Sequence, residues 1–220
     1  MDAKKLLLFD FDGTVIDNSE GIFNCIRYAA DKLGMPRPAD SQLRAFVGPP
    51  LYASFQKYMG ADHETALALV EAYRERYRPL GTKEAVLYPR VKEVLAALRA
   101  DGYTLAVCSG KPRDFVIAIA ERLGVFELFS EYYCTTFQDT KATKADYIRR
   151  AMAENGVCAE ETVMIGDTES DILAAKQTGV FSVGASYGFA APGELEACEP
   201  DRFAADAAGI YRAVTERELP

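Results

Sequence analysis

The feature that most limits what this chain can fold into is an alternation of short, wholly apolar runs with segments of helical periodicity. Leu6-Leu7-Leu8-Phe9, Leu105-Ala106-Val107-Cys108 and Val163-Met164-Ile165 read as strands buried on both faces, with Val180-Phe181-Ser182-Val183 as a weaker fourth. Between them Val91–Ala100, Arg113–Leu123, Lys144–Asn155 and 171–177 repeat apolar residues every three or four positions. Gly102, Gly124, Gly156 and Gly179 follow these segments, where a helix C-terminal glycine belongs. The βαβα order predicts an α/β fold, a Rossmann-like parallel sheet covered by helices.

One stretch breaks the rhythm. Residues 16–83 show helical patterns and no strand candidate. Asp62-His63-Glu64 opens a helix in which Ala66, Leu69, Val70, Tyr73 and Tyr77 form one stripe. Pro36, Pro38, Pro49-Pro50 and Gly60 divide the stretch into three or four helices, and Pro79 and Gly81 return the chain to the alternating pattern. The expectation is a helical domain, 16–83, inserted into an α/β core made of 1–15 and 84–220.

Composition narrows the partners. At 220 residues, 49% hydrophobic and 26% charged, the chain has the makeup of a globular enzyme. Its 33 acidic against 25 basic residues, net −8, argue against a nucleic-acid polymer, which needs clustered Lys and Arg. Strand-sized apolar runs fall far short of the ~20 residues that cross a bilayer, so no membrane partner is expected. Only four apolar residues follow Met-Asp-Ala-Lys-Lys, too few for a signal-peptide core. Cys25, Cys108, Cys134, Cys158 and Cys198 are odd in number and never spaced CxxC, which predicts reduced thiols and a cytoplasmic protein.

The chemistry concentrates after two of the strands. In Asp10-Phe11-Asp12-Gly13-Thr14 two carboxylates stand at a strand's carboxyl end, where open α/β sheets bind ligands. Strand alternation lets Asp10 and Asp12 project together while Phe11 points into packing. Gly166-Asp167-Thr168-Glu169-Ser170-Asp171 adds further carboxylates at a second such end. Like charges a few ångströms apart repel by about 4 kcal/mol at an effective dielectric of about 20, so the cluster requires a cation or a shared proton. Hard oxygen donors without nearby His or Cys suit Mg²⁺ rather than zinc. For Asp171 taken alone, a helix N-cap is an equally good reading.

These motifs resemble the haloacid-dehalogenase superfamily of phosphohydrolases over essentially the whole chain. Asp10-Phe-Asp12-Gly-Thr resembles its first motif, Ser109 the second, Lys144 the third and Gly166-Asp167-xxx-Asp171 the fourth. The resemblance implies that Asp10 is the nucleophile and is phosphorylated, and that Asp12 is the general acid and base. It also implies Mg²⁺ held by Asp10, the Asp12 carbonyl and Asp167, with Asp171 nearby or acting through water. Lys144 and Ser109 would stabilise the phosphoryl oxygens. Ser109 also reads as a turn residue, and Lys141 is an alternative to Lys144, which is preferred because it opens a helix carrying Ala145, Ile148 and Ala151. Asp12 is present where the family's dehalogenases lack it. Thr14 and Ile22 stand where β-phosphoglucomutase-like members carry Val and His. Phosphatase chemistry is therefore expected.

By the same resemblance 16–83 is a small α-helical cap. Leu43-Arg44-Ala45-Phe46-Val47-Gly48-Pro49-Pro50-Leu51 looks like the substrate loop of the phosphoglycolate-phosphatase-like branch, which includes proteins called 5′-nucleotidases. Arg44 reads either as a fork for a substrate carboxylate or as a solvated helix residue. Gly48 demands an unusual backbone turn. Ser109-Gly110-Lys111-Pro112 suits the branch, with Gly110 where Asn or Ser is usual, and Lys111 adds positive charge to the crevice. Tyr52, Phe55 and Tyr58 read as cap core in preference to a base-stacking platform, and His63 has no assigned role. The expected substrate is a small phosphate monoester, phosphoglycolate-like first and nucleoside monophosphate second, acted on by a monomer or weak homodimer. A phosphotransferase, or a regulatory protein without turnover, is the alternative.

Overall fold

The computed structural model describes residues 5–136 and 142–220. Two compact units emerge, Met1–Asp17 with Leu87–Pro220, and Asn18–Val86. The chain enters the first with β1 (Leu6–Phe9), leaves it for α1 (Ser19–Lys32), α2 (Leu51–Met59) and α3 (His63–Arg76), and returns with α4 (Val91–Ala100). There follow β2 (Thr104–Pro112), α5 (Arg113–Leu123), β3 (Glu131–Thr135), α6 (Lys144–Asn155), β4 (Thr162–Gly166), α7 (Glu169–Thr178), β5 (Phe181–Ala185), β6 (Arg202–Ala204) and α8 (Ala207–Thr215).

Six of the described strands form one sheet in the order β3-β2-β1-β4-β5-β6, and every pairing within it is parallel. Two further two-residue strands, Ile16–Asp17 and Val86–Leu87, lie outside it. The first falls in the stretch where the sequence shows no strand candidate, because two residues are too few to write a period. The all-parallel sheet follows from helices that return each strand to the same edge. Leu6 and Leu8 face Ala145, Ile148 and Ala151 of α6 and Ala174 and Ala175 of α7 in one buried cluster. Leu7 and Phe9, on the opposite face by alternation, are equally buried. Strands buried on both sides have no polar positions to alternate, which is why β1, β2 and β4 were legible as apolar runs. The edge strands β3 and β6 were not read from sequence, because Glu131-Tyr132-Tyr133-Cys134-Thr135 is only half-buried at both ends and Arg202-Phe203-Ala204 leaves Phe203 exposed, so neither is an unbroken apolar run.

Local signals set the helix ends. Thr143 and Asp146 exchange side-chain and main-chain bonds in a capping box that starts α6 at Lys144. In the second unit, Asp62 caps α3 through Thr65 N–H at 2.8 Å, and the expected stripe of Ala66, Leu69, Val70, Tyr73 and Tyr77 is buried. Pro79 does not end α3 outright. The backbone widens into a π turn over Tyr77–Gly81 and continues into Thr82–Glu84, an accommodation for a residue without an N–H. Phe46 and Phe55, fully buried at 5.6 Å, and Tyr58, 5.3 Å from Phe46, form this unit's aromatic core. Tyr52 departs from that core and hydrogen-bonds His63 Nδ1 at 2.7 Å. Among the described residues no helix is long and apolar enough to cross a membrane.

Candidate active site

Asp10 leaves the carboxyl end of β1 and Asp167 that of β4, the neighbouring strands at which the sheet order reverses. That reversal opens the crevice in which doubly wound sheets bind ligands. Asp10, Asp167 and Asp171 are buried there, each offering one carboxylate oxygen within 4.8 Å of the others. Lys144, at the first turn of α6, places Nζ 2.9 Å from Asp10 Oδ2 and also contacts Asp171 Oδ1. Burial works against the Lys144 ammonium, but the Asp10 and Asp171 carboxylates outweigh it and hold the lysine above its ordinary value.

Every oxygen of the three carboxylates has a donor. Phe11 N–H donates to Asp10 Oδ1 at 2.7 Å. Thr14 Oγ1 donates to Asp167 Oδ1 at 3.1 Å, and Phe189 N–H to Asp167 Oδ2 at 2.7 Å. Thr168 gives Asp171 Oδ2 both its N–H, at 3.0 Å, and its hydroxyl, at 2.8 Å. The N-cap of α7 is Thr168 rather than Asp171, because the helix begins at Glu169; Asp171, at the third helical position, accepts from Thr168 in the capping box and stands in the acidic cluster.

The cluster fits a hard divalent cation. Burial, then the neighbouring Asp171 and Asp10, push the Asp167 carboxyl well above the usual carboxylate range, and burial also raises Asp171. One ammonium facing three carboxylates leaves negative charge that a cation would balance. The donor set is all oxygen.

Asp12 stands apart from this trio. Its Oδ2 pairs with Lys111 Nζ at 2.8 Å, and its Oδ1 is buried without a hydrogen-bond partner among the described residues. A register break between Ser109 and Pro112 turns the end of β2, and the Lys111 ammonium ends beside Asp12 with its side chain 7% exposed. Ser109 is buried in β2, its Oγ accepting from Lys111 N–H at 3.3 Å, and Gly110 is exposed. Lys141 lies outside the described residues. In the second unit Arg44 is exposed on a single 3₁₀ turn, and Gly48 adopts a left-handed φ of +100°, the unusual backbone turn expected of it and one that favours glycine.

A model of the haloacid dehalogenase-like hydrolase family matches residues 7–185. The chain belongs to that family. A 5′-nucleotidase of Pseudomonas aeruginosa is 36% identical to this hydrolase over 208 residues, 94% of each protein. A phosphoglycolate phosphatase of Vibrio cholerae is 30% identical over 97% of this chain and 98% of its own. The solved structure of a haloacid dehalogenase-like hydrolase from Streptococcus pneumoniae superposes with a TM-score of 0.90 at 30% identity, covering 97% of this chain and 99% of that one. Family and relatives make the chain a phosphoric monoester hydrolase.

Sequence reasoning missed the residues that hold Asp167 in place. Thr14 belongs to the first motif, but a threonine there carries no sign in the sequence that its hydroxyl meets a carboxylate from another strand. The Tyr187-Gly188-Phe189 turn carries no charge pattern and no catalytic residue type, so nothing in the sequence singled it out.

Proposed function

We propose that this hydrolase cleaves small soluble phosphate monoesters through an aspartyl phosphate on Asp10, with Mg²⁺ held by Asp10, Asp167 and the Asp12 main-chain carbonyl, and Asp171 ligating directly or through water. The observation that carries the reading is the Lys144 ammonium set between Asp10 and Asp171 in a buried acidic trio at the sheet reversal. A bound cation supplies the charge that lets a carboxylate approach a phosphate dianion.

The Asp10 carboxylate attacks phosphorus, and its new O–P bond forms as the ester O–P bond breaks. Asp12 delivers its proton to the departing oxygen. The resulting Asp12 carboxylate then takes a proton from water, whose oxygen attacks phosphorus, breaks the Asp10–phosphoryl bond and releases inorganic phosphate. Lys144 offsets charge on the phosphoryl oxygens, and Ser109 Oγ donates to one of them. Lys111 holds Asp12 against the turn that carries Ser109.

The substrates are carboxylate-bearing esters resembling phosphoglycolate, with Arg44 as the carboxylate clamp and Gly48, Gly110 and Lys111 shaping the substrate contacts. The protein works as a cytoplasmic monomer or weak homodimer without a polymeric partner; the scattered cysteines support the compartment. Nucleoside 5′-monophosphates are the second reading, supported by the Pseudomonas aeruginosa relative. Phosphate release from phosphoglycolate, nucleoside 5′-monophosphates, sugar phosphates and p-nitrophenyl phosphate, with Mg²⁺ or EDTA, tests both. Asp10→Asn abolishes release while leaving thermal unfolding unchanged. Turnover surviving in Asp10→Asn overturns the nucleophile, turnover surviving EDTA overturns the metal, and a ranking led by nucleotides selects the second reading.

A further inference from the structure

Asp167 is fixed by parts of the chain far from its own strand and helix. Thr14, fully buried in the turn after β1, donates its hydroxyl to one Asp167 oxygen, and Phe189 N–H, in the turn after β5, donates to the other. A third bond ties these two turns together. The Tyr187 hydroxyl donates to the Thr14 carbonyl at 2.7 Å, and the Tyr187 ring meets Tyr88 edge-on at 4.8 Å. The Tyr88 N–H in turn donates to the Val15 carbonyl at 3.2 Å. The fit leaves no slack: a Cβ built on Gly188 would lie 2.3 Å from Asp167 Cβ and 2.5 Å from the Gly13 carbonyl oxygen, and one on Gly13 would lie 2.0 Å from Asp167 Oδ2.

We propose that Tyr187 is a positioning residue for the metal site, its hydroxyl locking the 186–189 turn onto the Thr14 turn so that both hydrogen bonds to Asp167 are held at once. The inference rests on the proposed metal reading and extends it to residues that touch neither substrate nor the reacting atoms. Its physical basis is entropic as well as geometric. A carboxylate whose two oxygens are each pinned by one donor presents its remaining lone pairs in a fixed direction, so less freedom is lost when a cation binds. Without the tyrosine hydroxyl, Gly188 and Phe189 have one fewer anchor to the turn they pack against.

The test measures metal binding directly, by Mn²⁺ titration with electron paramagnetic resonance detection and Mg²⁺ calorimetry on the full chain, with thermal unfolding of the metal-free protein alongside. Tyr187→Phe keeps the ring and removes only the hydroxyl. The metal Kd is expected to weaken by about tenfold, the lower end of the range for outer-shell partners of a metal ligand. Substrate KM at saturating Mg²⁺ stays at the wild-type value, and kcat recovers at high metal. Thr14→Val, which removes the donor on Asp167 Oδ1, weakens metal binding at least as much, while Thr14→Ser restores it. An unchanged metal Kd in Tyr187→Phe, with only a lower Tm, makes the tyrosine a packing residue and overturns the inference. Failure of the wild-type protein to bind Mn²⁺ overturns the metal reading and this inference together. Binding by wild type but not by either Thr14→Ser or Thr14→Val overturns the assigned role of the Thr14 hydroxyl.

Discussion

Replacing Lys144 by methionine tests the centre of the site most sharply, because the stem survives and the charge does not. The Lys144 side chain is 12% exposed and lies 2.9 Å from Asp10 Oδ2, with a second contact to Asp171. One unit-charge pair at that separation is worth about 6 kcal/mol of attraction at an effective dielectric of about 20. Desolvation of the two ions offsets part of this, and breaking one partner out of a buried pair leaves a loss of about 3–5 kcal/mol. Separately, losing one positioned donor to the transferring phosphoryl group costs about 4 kcal/mol of transition-state stabilisation, so kcat/KM falls by roughly a thousandfold. The assay is phosphate release under saturating Mg²⁺, with thermal unfolding to show that the variant is folded. The same change at Lys141 is expected to leave activity within about threefold of wild type, because the charge role is assigned to Lys144. A Lys144→Met enzyme within tenfold of wild type, or an equal loss at Lys141, would refute the charge assignment.

Two further outcomes follow from the second unit. Arg44→Ala lowers kcat/KM for a carboxylate-bearing ester by about 10–100-fold, the size of a lost charge-assisted contact, and barely changes it for p-nitrophenyl phosphate; equal losses on both refute the clamp. Arg76 grips Glu84 with two bonds of 2.8 Å and Asn24 adds one of 3.1 Å, and these bonds, the Arg76 fork foremost, hold the Glu84 carboxyl below the usual range. A depressed folded value stabilises the fold above the unfolded value of about 4.3 and loses that stability as pH falls through the folded value. Glu84→Gln therefore costs about 1–2 kcal/mol near pH 7, and urea unfolding shows the deficit closing in acid. A deficit independent of pH sinks the assignment.

The parts of the fold visible in the chain are those whose causes are local. Central strands announced themselves as unbroken apolar runs because both of their faces are covered, and α4, α5 and α6 fall where their periodicity and flanking glycines put them. The position of Lys144 at the start of α6 is likewise local, since Thr143 and Asp146 close their capping box within four residues. The carboxylates were legible for a related reason: each follows a buried strand, and a parallel sheet delivers all such ends to one edge. Edge strands were less legible, because an edge lacks the burial that writes a pattern.

What the sequence determined by itself is the alternating core, the helical insertion, and the carboxylates Asp10 and Asp167 with Lys144 beside the sheet's carboxyl edge. Tertiary structure decided which of them meet. The acidic trio takes in Asp171 and leaves the Asp12 side chain to Lys111, a pairing produced by a register break at the end of β2 that no residue pattern encodes. The bonds that pin Asp167 and its turn join residues 153 and 173 positions apart. Contacts of that span depend on where the sheet places β1, β4 and β5, and a sheet's strand order is settled by packing rather than by the propensities of the strands themselves.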